Sequence, residues 1–136
     1  MDKETIEVLV GKALEAREKA HAPYSKYKVG AALLAKSGAI YTGCNVENAS
    51  YGLTVCAERV VICKAVSEGE KDFLAIAVVT SNGAPPCGAC LQVMAEFVAD
   101  FSSFQVILVN AEKQWRVLTL KELYPFGFTS RFLWEK

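Results

Sequence analysis

Between residues 3 and 20 the apolar positions Ile6, Leu9, Val10, Ala13, Leu14 and Ala16 recur at helical spacing with charges between them. That period predicts an amphipathic helix ending before Ala22-Pro23. The pattern then changes. Val29 to Ala35 and Ala39 to Cys44 flank Lys36-Ser37-Gly38 and predict a hairpin. Asn45 to Thr54 is polar and rich in turn formers, hence a loop. Helical spacing returns from Cys56 to Val66 and stops at Ser67-Glu68-Gly69. Phe73 to Thr80 is a nearly continuous apolar run, as in a strand buried on both faces. A Gly- and Pro-containing loop, Ser81 to Pro86, leads into a helix over residues 88–99. Gln105 to Val109 and Trp115 to Leu118 read as two strands around a turn. Thr119-Leu120-Lys121-Glu122 is a capping box opening a short last helix.

The order is α-β-β-α-β-α-β-β-α, with strands and helices alternating in the middle. It predicts an α/β fold, a three-layer α-β-α sandwich on a mixed five-stranded sheet. No repeat, low-complexity stretch or linker divides the chain, so residues 1–136 read as one domain. A chain of this length buries roughly two thirds of its unfolded surface.

Composition narrows the partners. Lys+Arg and Asp+Glu are 15 each, for zero formal net charge. No long-range pull on a phosphate polymer results, and nucleic acid is not an expected partner. The hydrophobic fraction is 52% and the mean hydropathy is +0.22, high for a small domain. No apolar run approaches the roughly eighteen residues of a membrane span, so no membrane is expected and the surplus is assigned to subunit interfaces. The start, Met1-Asp2-Lys3-Glu4, carries no signal or transit pattern. Five cysteines is an odd number, and two of them form a C-x-x-C. A disulfide framework fits this poorly; thiolates held by metal in a reducing cytoplasm fit better.

The candidate chemistry lies in Cys56-Ala57-Glu58-Arg59 and Pro86-Cys87-Gly88-Ala89-Cys90. A lone cysteine is usually a core residue. Three at the starts of two helices, with a glutamate beside one, describe an open zinc site with a proton carrier attached. A closed structural site would need a fourth ligand from Cys44, Cys63 or His21. Cys63 lies about two helical turns beyond Cys56, Cys44 ends an apolar strand and reads as core, and His21 reads as an exposed polar residue. The expectation is therefore one zinc per chain with an open position. Glu58 could serve simply as a first-turn helix carboxylate, but its place beside the metal suits proton transfer. Three thiolates make the site negative, and Arg59 with the two helix N-termini is the expected compensating charge.

Other segments match too: Pro23-Tyr24-Ser25-Lys26-Tyr27, Val29-Gly30-Ala31-Ala32-Leu33, Gly43-Cys44-Asn45-Val46-Glu47-Asn48-Ala49-Ser50-Tyr51 and Lys64-Ala65-Val66-Ser67-Glu68-Gly69. With the cysteine motifs they resemble the zinc-dependent cytidine deaminase superfamily, in particular its short homotetrameric class, from about residue 5 to 130. The resemblance implies the cytidine deaminase-like fold and hydrolytic deamination of cytidine and deoxycytidine to uridine and deoxyuridine. Ammonia would leave, through a zinc-bound hydroxide and a Glu58 proton shuttle, in cytoplasmic pyrimidine salvage.

It also implies that Asn45 and Glu47 bind the ribose hydroxyls and that Tyr27 packs against the pyrimidine, where phenylalanine is usual. The Ala57 backbone and the neighbourhood of Tyr51 would complete the base pocket. Phe128 would reach a neighbouring subunit's site, which puts the tail 125–136 at an interface of a homotetramer. Three departures stand out: Leu91 where arginine is common, Pro85 for a serine or threonine, and Cys63 for a bulkier apolar residue whose loss loosens packing. The rival readings are a deaminase of an aminonucleoside antibiotic, a nucleic-acid editor, a non-catalytic structural zinc module and a redox C-x-x-C protein.

Overall fold

The structure is a computed structural model that describes residues 1–134; Glu135 and Lys136, the end of the expected interface tail, lie outside the described residues. Asp2 caps the first helix, α1 (Lys3–Arg17), by accepting from the Thr5 N–H at 2.8 Å. β1 (Gly30–Ala35) and β2 (Ile40–Cys44) form the expected hairpin. There follow α2 (Ala57–Ser67), β3 (Phe73–Val79), α3 (Gly88–Glu96), β4 (Gln105–Val109), β5 (Trp115–Thr119), α4 (Leu120–Leu123) and α5 (Arg131–Trp134).

The five strands lie in the order β2-β1-β3-β4-β5, parallel at β3–β4 and antiparallel elsewhere. The sheet is mixed, as expected. β3-α3-β4 is a crossover between neighbouring parallel strands, whereas α2 carries the chain from β2 past β1 to β3. Alternation along the strands sorts the core into two layers. Leu33, Ile76, Val78, Val106 and Leu108 face Val61, Ile62 and Met94 of α2 and α3. On the other face Ala32, Ala75, Ala77, Val79 and Ile107 receive Ile6, Leu9, Val10 and Ala13 of α1.

The alanines let α1 come close, and Gly30 lets it come closer still. A Cβ at Gly30 would stand 2.1 Å from the Ala13 carbonyl oxygen. Only hydrogen fits there. α1 is thus seated close on the sheet, while on the other face α2 and α3 pack against each other.

Several local expectations change. α1 stops at Arg17, well short of Ala22-Pro23, and α3 stops at Glu96, short of residue 99. The loop after β2 contains a 3-10 turn at Tyr51–Leu53, and the tail contains α5; neither stood out in the sequence. Cys44 is half-buried, not core, because β2 is an edge strand. Cys63 is exposed on α2, so no packing within the chain depends on its size. No helix among the described residues is long and apolar enough to cross a membrane.

Candidate active site

Cys56 is the N-cap residue of α2 and Cys87 that of α3; Cys90 sits in the first turn of α3. Both caps are extended, which is what turns each chain into its helix and leaves the first-turn N–H groups without intrahelical partners. The first backbone bonds run only from Val60 N–H to Cys56 O and from Leu91 N–H to Cys87 O, each 3.0 Å. Two positive helix ends therefore converge on the same sulfurs.

The three Sγ atoms lie within 4.8 Å of one another, and Cys87 and Cys90 Sγ are 3.5 Å apart. Tetrahedral zinc–thiolate bonds of about 2.3 Å place sulfurs about 3.8 Å apart, so the donor set fits one zinc ion. No fourth His, Cys, Asp or Glu among the described residues joins the group. His21, Cys44 and Cys63 are thus excluded from it, and a coordination position is left open.

A hydrogen bond with Cys90, and then the Arg59 guanidinium, hold the Cys56 thiol down at about 5. Cys90 in turn is driven well above the ordinary thiol range, by that same bond first and then by burial and the nearby Glu58. Three negative sulfurs this close are tolerable only around a cation.

Glu58, in the first turn of α2, is only 5% exposed. Burial pushes its carboxyl up to about 7, its own backbone N–H works against that, and the Cys56 thiolate adds to it. A carboxyl that titrates near neutrality can both take and give a proton. Arg59 donates through Nη2 to Cys56 Sγ and to the Thr54 carbonyl oxygen, both at 3.4 Å. Its Nε is buried with no hydrogen-bond partner among the described residues. At the next candidate position for a cation, Leu91 is buried in the core cluster. Arg59 is the guanidinium against the sulfurs.

The other expected residues gather around a neighbouring turn. Glu47 accepts the Tyr24 N–H at 3.0 Å, the Ser25 N–H at 3.1 Å and the Ser25 hydroxyl. Those bonds hold its carboxyl below the usual carboxylate range. Asn45 is buried; Oδ1 accepts from Val29 N–H at 2.9 Å, and Nδ2 donates to Tyr27 O at 2.8 Å. One N–H and one lone pair of its amide remain. A cleft of about 210 Å³ opens here, lined by Tyr24, Ser25, Glu47, Tyr51 and Thr54. Tyr51 is largely exposed and leans on Tyr24, ring centroids 5.8 Å apart. Tyr27 packs against the core cluster that includes Ala57 and Cys90, and its hydroxyl donates to Asn82 Oδ1 at 2.8 Å.

Phe128 is half-exposed and stacks on Phe132 at 6.0 Å. A larger cavity, about 700 Å³, lies beneath this tail against the end of α3, and includes none of the site cysteines. Gln92 fastens the tail to α3: it accepts from the Tyr124 hydroxyl at 2.6 Å and donates to the Phe128 carbonyl oxygen at 2.9 Å. Gln92, Asn82 and Ser25 were not singled out in the sequence. Their partners are remote, and no spacing rule links them.

Residues 3–105 match the family model of the cytidine and deoxycytidylate deaminase zinc-binding region. The cytidine deaminase of Halalkalibacterium halodurans is 50% identical over 126 residues, 91% of this chain and 94% of its own length. That of Sporosarcina psychrophila is 47% identical over 130 residues, 94% of each. A crystal structure of cytidine deaminase from Burkholderia pseudomallei matches with a TM-score of 0.85 at 45% identity, covering 94% of this chain and all of that one. At greater distance, a blasticidin-S deaminase of Bacillus cereus is 30% identical over 115 residues, covering 77% of this chain and 79% of its own.

Proposed function

From the premise that this chain belongs to the cytidine and deoxycytidylate deaminase family, we propose that it hydrolyses cytidine and deoxycytidine to uridine and deoxyuridine with release of ammonia. One observation carries the reading: three thiols converge on one point at two helix starts, with a buried carboxyl two residues from one of them.

Cys56, Cys87 and Cys90 would hold the zinc, one per subunit. Bound there, the ion supplies Lewis-acid activation of a water molecule. Glu58 does the proton work. It takes one proton as water oxygen bonds to C4 of the base and places it on N3, then takes the remaining proton from that oxygen and passes it to the amine as the C4–N bond breaks and ammonia leaves. Its burial excludes bulk water from those transfers. Arg59 offsets the thiolate charge at Cys56. Replacing it with glutamine is expected to keep the zinc and lower kcat/KM about tenfold, a loss of charge stabilisation read by steady-state kinetics beside metal analysis.

Around that centre, Glu47 and the remaining amide valences of Asn45 take the sugar hydroxyls, Tyr27 packs on the pyrimidine, and the Ala57 backbone and Tyr51 close the pocket. Within one chain this pocket stands open, Tyr51 being 74% exposed. The tail offers the missing wall. Phe126, Phe128, Phe132, Leu133 and Trp134 are all exposed, Phe126 by 97%, an apolar patch suited to a subunit interface. Residues 1–136 form one domain that assembles as a homotetramer, with the tail 125–136 at an interface and Phe128 serving a neighbour's site. The unpaired cysteines support a reducing cytoplasm as its location.

The test compares turnover of cytidine, deoxycytidine and a blasticidin-type aminonucleoside, with the mass of the zinc-loaded protein measured by light scattering. Faster turnover of the ordinary nucleosides by a four-chain particle supports the reading. Preference for the antibiotic would replace its substrate.

A further inference from the structure

Tyr27 is held at both ends. Its N–H donates to Ser25 Oγ at 3.0 Å, and its carbonyl oxygen accepts from Asn45 Nδ2 at 2.8 Å. Lys26, just before it, takes a left-handed backbone (φ 61°), so the turn leaves little freedom for the residue that follows. The far end of the ring is fixed by a different part of the chain, the loop between β3 and α3, where Asn82 Oδ1 accepts from the Tyr27 hydroxyl.

Asn82 is itself anchored. Its Oδ1 also accepts from the buried Thr80 hydroxyl at 3.3 Å, and Thr80 Oγ accepts from the Ala84 N–H at 3.1 Å. Asn82 also forms an isolated bridge with Asn110, whose own side chain accepts from Glu112 and Gln114 N–H groups at 3.0 Å. The acceptor is therefore stationary before a ligand arrives. It belongs to the loop that runs directly into Pro86 and Cys87. One hydrogen bond thus ties the turn beside Glu47 to the loop that delivers a metal ligand.

We propose that Asn82 is a positioning residue for the base pocket, acting through the Tyr27 hydroxyl to set the plane and depth of the ring against the pyrimidine. This deepens the functional reading above and rests on it. A ring held by packing alone would settle only when substrate bound, and that ordering would weaken binding. Asn82 contacts no reacting atom, so its effect belongs in KM and not in kcat. Because Asn82 is exposed and water competes for its carbonyl, the effect is moderate.

The experiment uses zinc-loaded protein and cytidine, with Asn82→Ala, Tyr27→Phe, the double variant and Asn82→Asp. Each single substitution is expected to raise KM about fivefold with kcat within about twofold of the parent. The double variant is expected to be no worse than either single one, since both remove the same bond. Asn82→Asp keeps an acceptor for the hydroxyl and is expected to restore KM to within about twofold of the parent. Additive losses in the double variant, a fall in kcat at unchanged KM, or unchanged KM in both single variants would overturn the proposal while leaving the reaction intact. A zinc-loaded parent protein that leaves cytidine untouched would overturn the functional reading, and this proposal with it.

Discussion

Replacing Glu58 with glutamine is expected to leave zinc in place and to cut kcat for cytidine by at least about 10³-fold. The side chains have the same shape, so the packing around a residue 5% exposed is kept. What goes is the ability to take and return a proton. No other carboxylate joins the cysteine cluster among the described residues, so nothing stands in. KM should change little, because binding precedes the proton transfers.

Stability carries a second signature of the same carboxyl. Burial raises Glu58 from its ordinary value to about 7 in the metal-free fold. A raised acid costs nothing below its unfolded value, and the cost grows as pH climbs through that value toward the folded one. Because the lowered Cys56 thiol acts in the opposite direction over the same range, the effect is read as a difference. Relative to the metal-free Glu58→Gln variant, the metal-free parent is expected to lose stability between about pH 4.5 and 7, by an amount on the order of a few kcal/mol. Denaturant unfolding of both proteins across that range should show the gap opening as pH rises.

Removing a thiol is the second large effect. Cys87→Ala is expected to bring zinc below about one tenth of an ion per chain and turnover to background. Cys87 is the exposed member of the three, so its loss leaves the core around α3 unchanged and the far-UV signal of the fold intact. Cys90→Ala reaches the same activity by a harsher route. That sulfur is fully buried in the cluster beneath α3, so the substitution adds a cavity to the lost ligand. Chelation of the parent should reproduce the Cys87→Ala behaviour, and added zinc should restore the parent alone. A variant that kept both zinc and turnover would remove Cys87 from the site.

The outcome depends little on long-range detail, which is why so much of it was legible. Ile6, Leu9, Val10 and Ala13 lie on one face of α1 and pack on one side of the sheet, as their spacing required. From Ala75 to Val79 the run alternates between the two cores because both its faces are covered, while Leu74 near its start stays exposed. Cys56 and Cys87 cap their helices where the turn-forming residues before them ended each loop.

What escaped the sequence was of two kinds. Short turns such as Tyr51–Leu53 and Arg131–Trp134 are too brief to carry a period. Polar partnerships across the fold carry none at all: Tyr27 meets Asn82 over 55 residues and Gln92 meets Phe128 over 36. Cys44 departs from the sequence expectation for a related reason. Its apolar run said strand, but only the strand order reveals that β2 is an edge and leaves the thiol half-exposed.

The most direct measurement takes purified protein containing one zinc per chain, adds cytidine, and quantifies uridine and ammonia together over time. Glu58→Gln at the same zinc content serves as the control. The expected result is uridine and ammonia appearing in equal amounts with the parent protein, and almost none with the variant. Equal turnover by both proteins, or a zinc-loaded parent that produces neither product, would contradict the account.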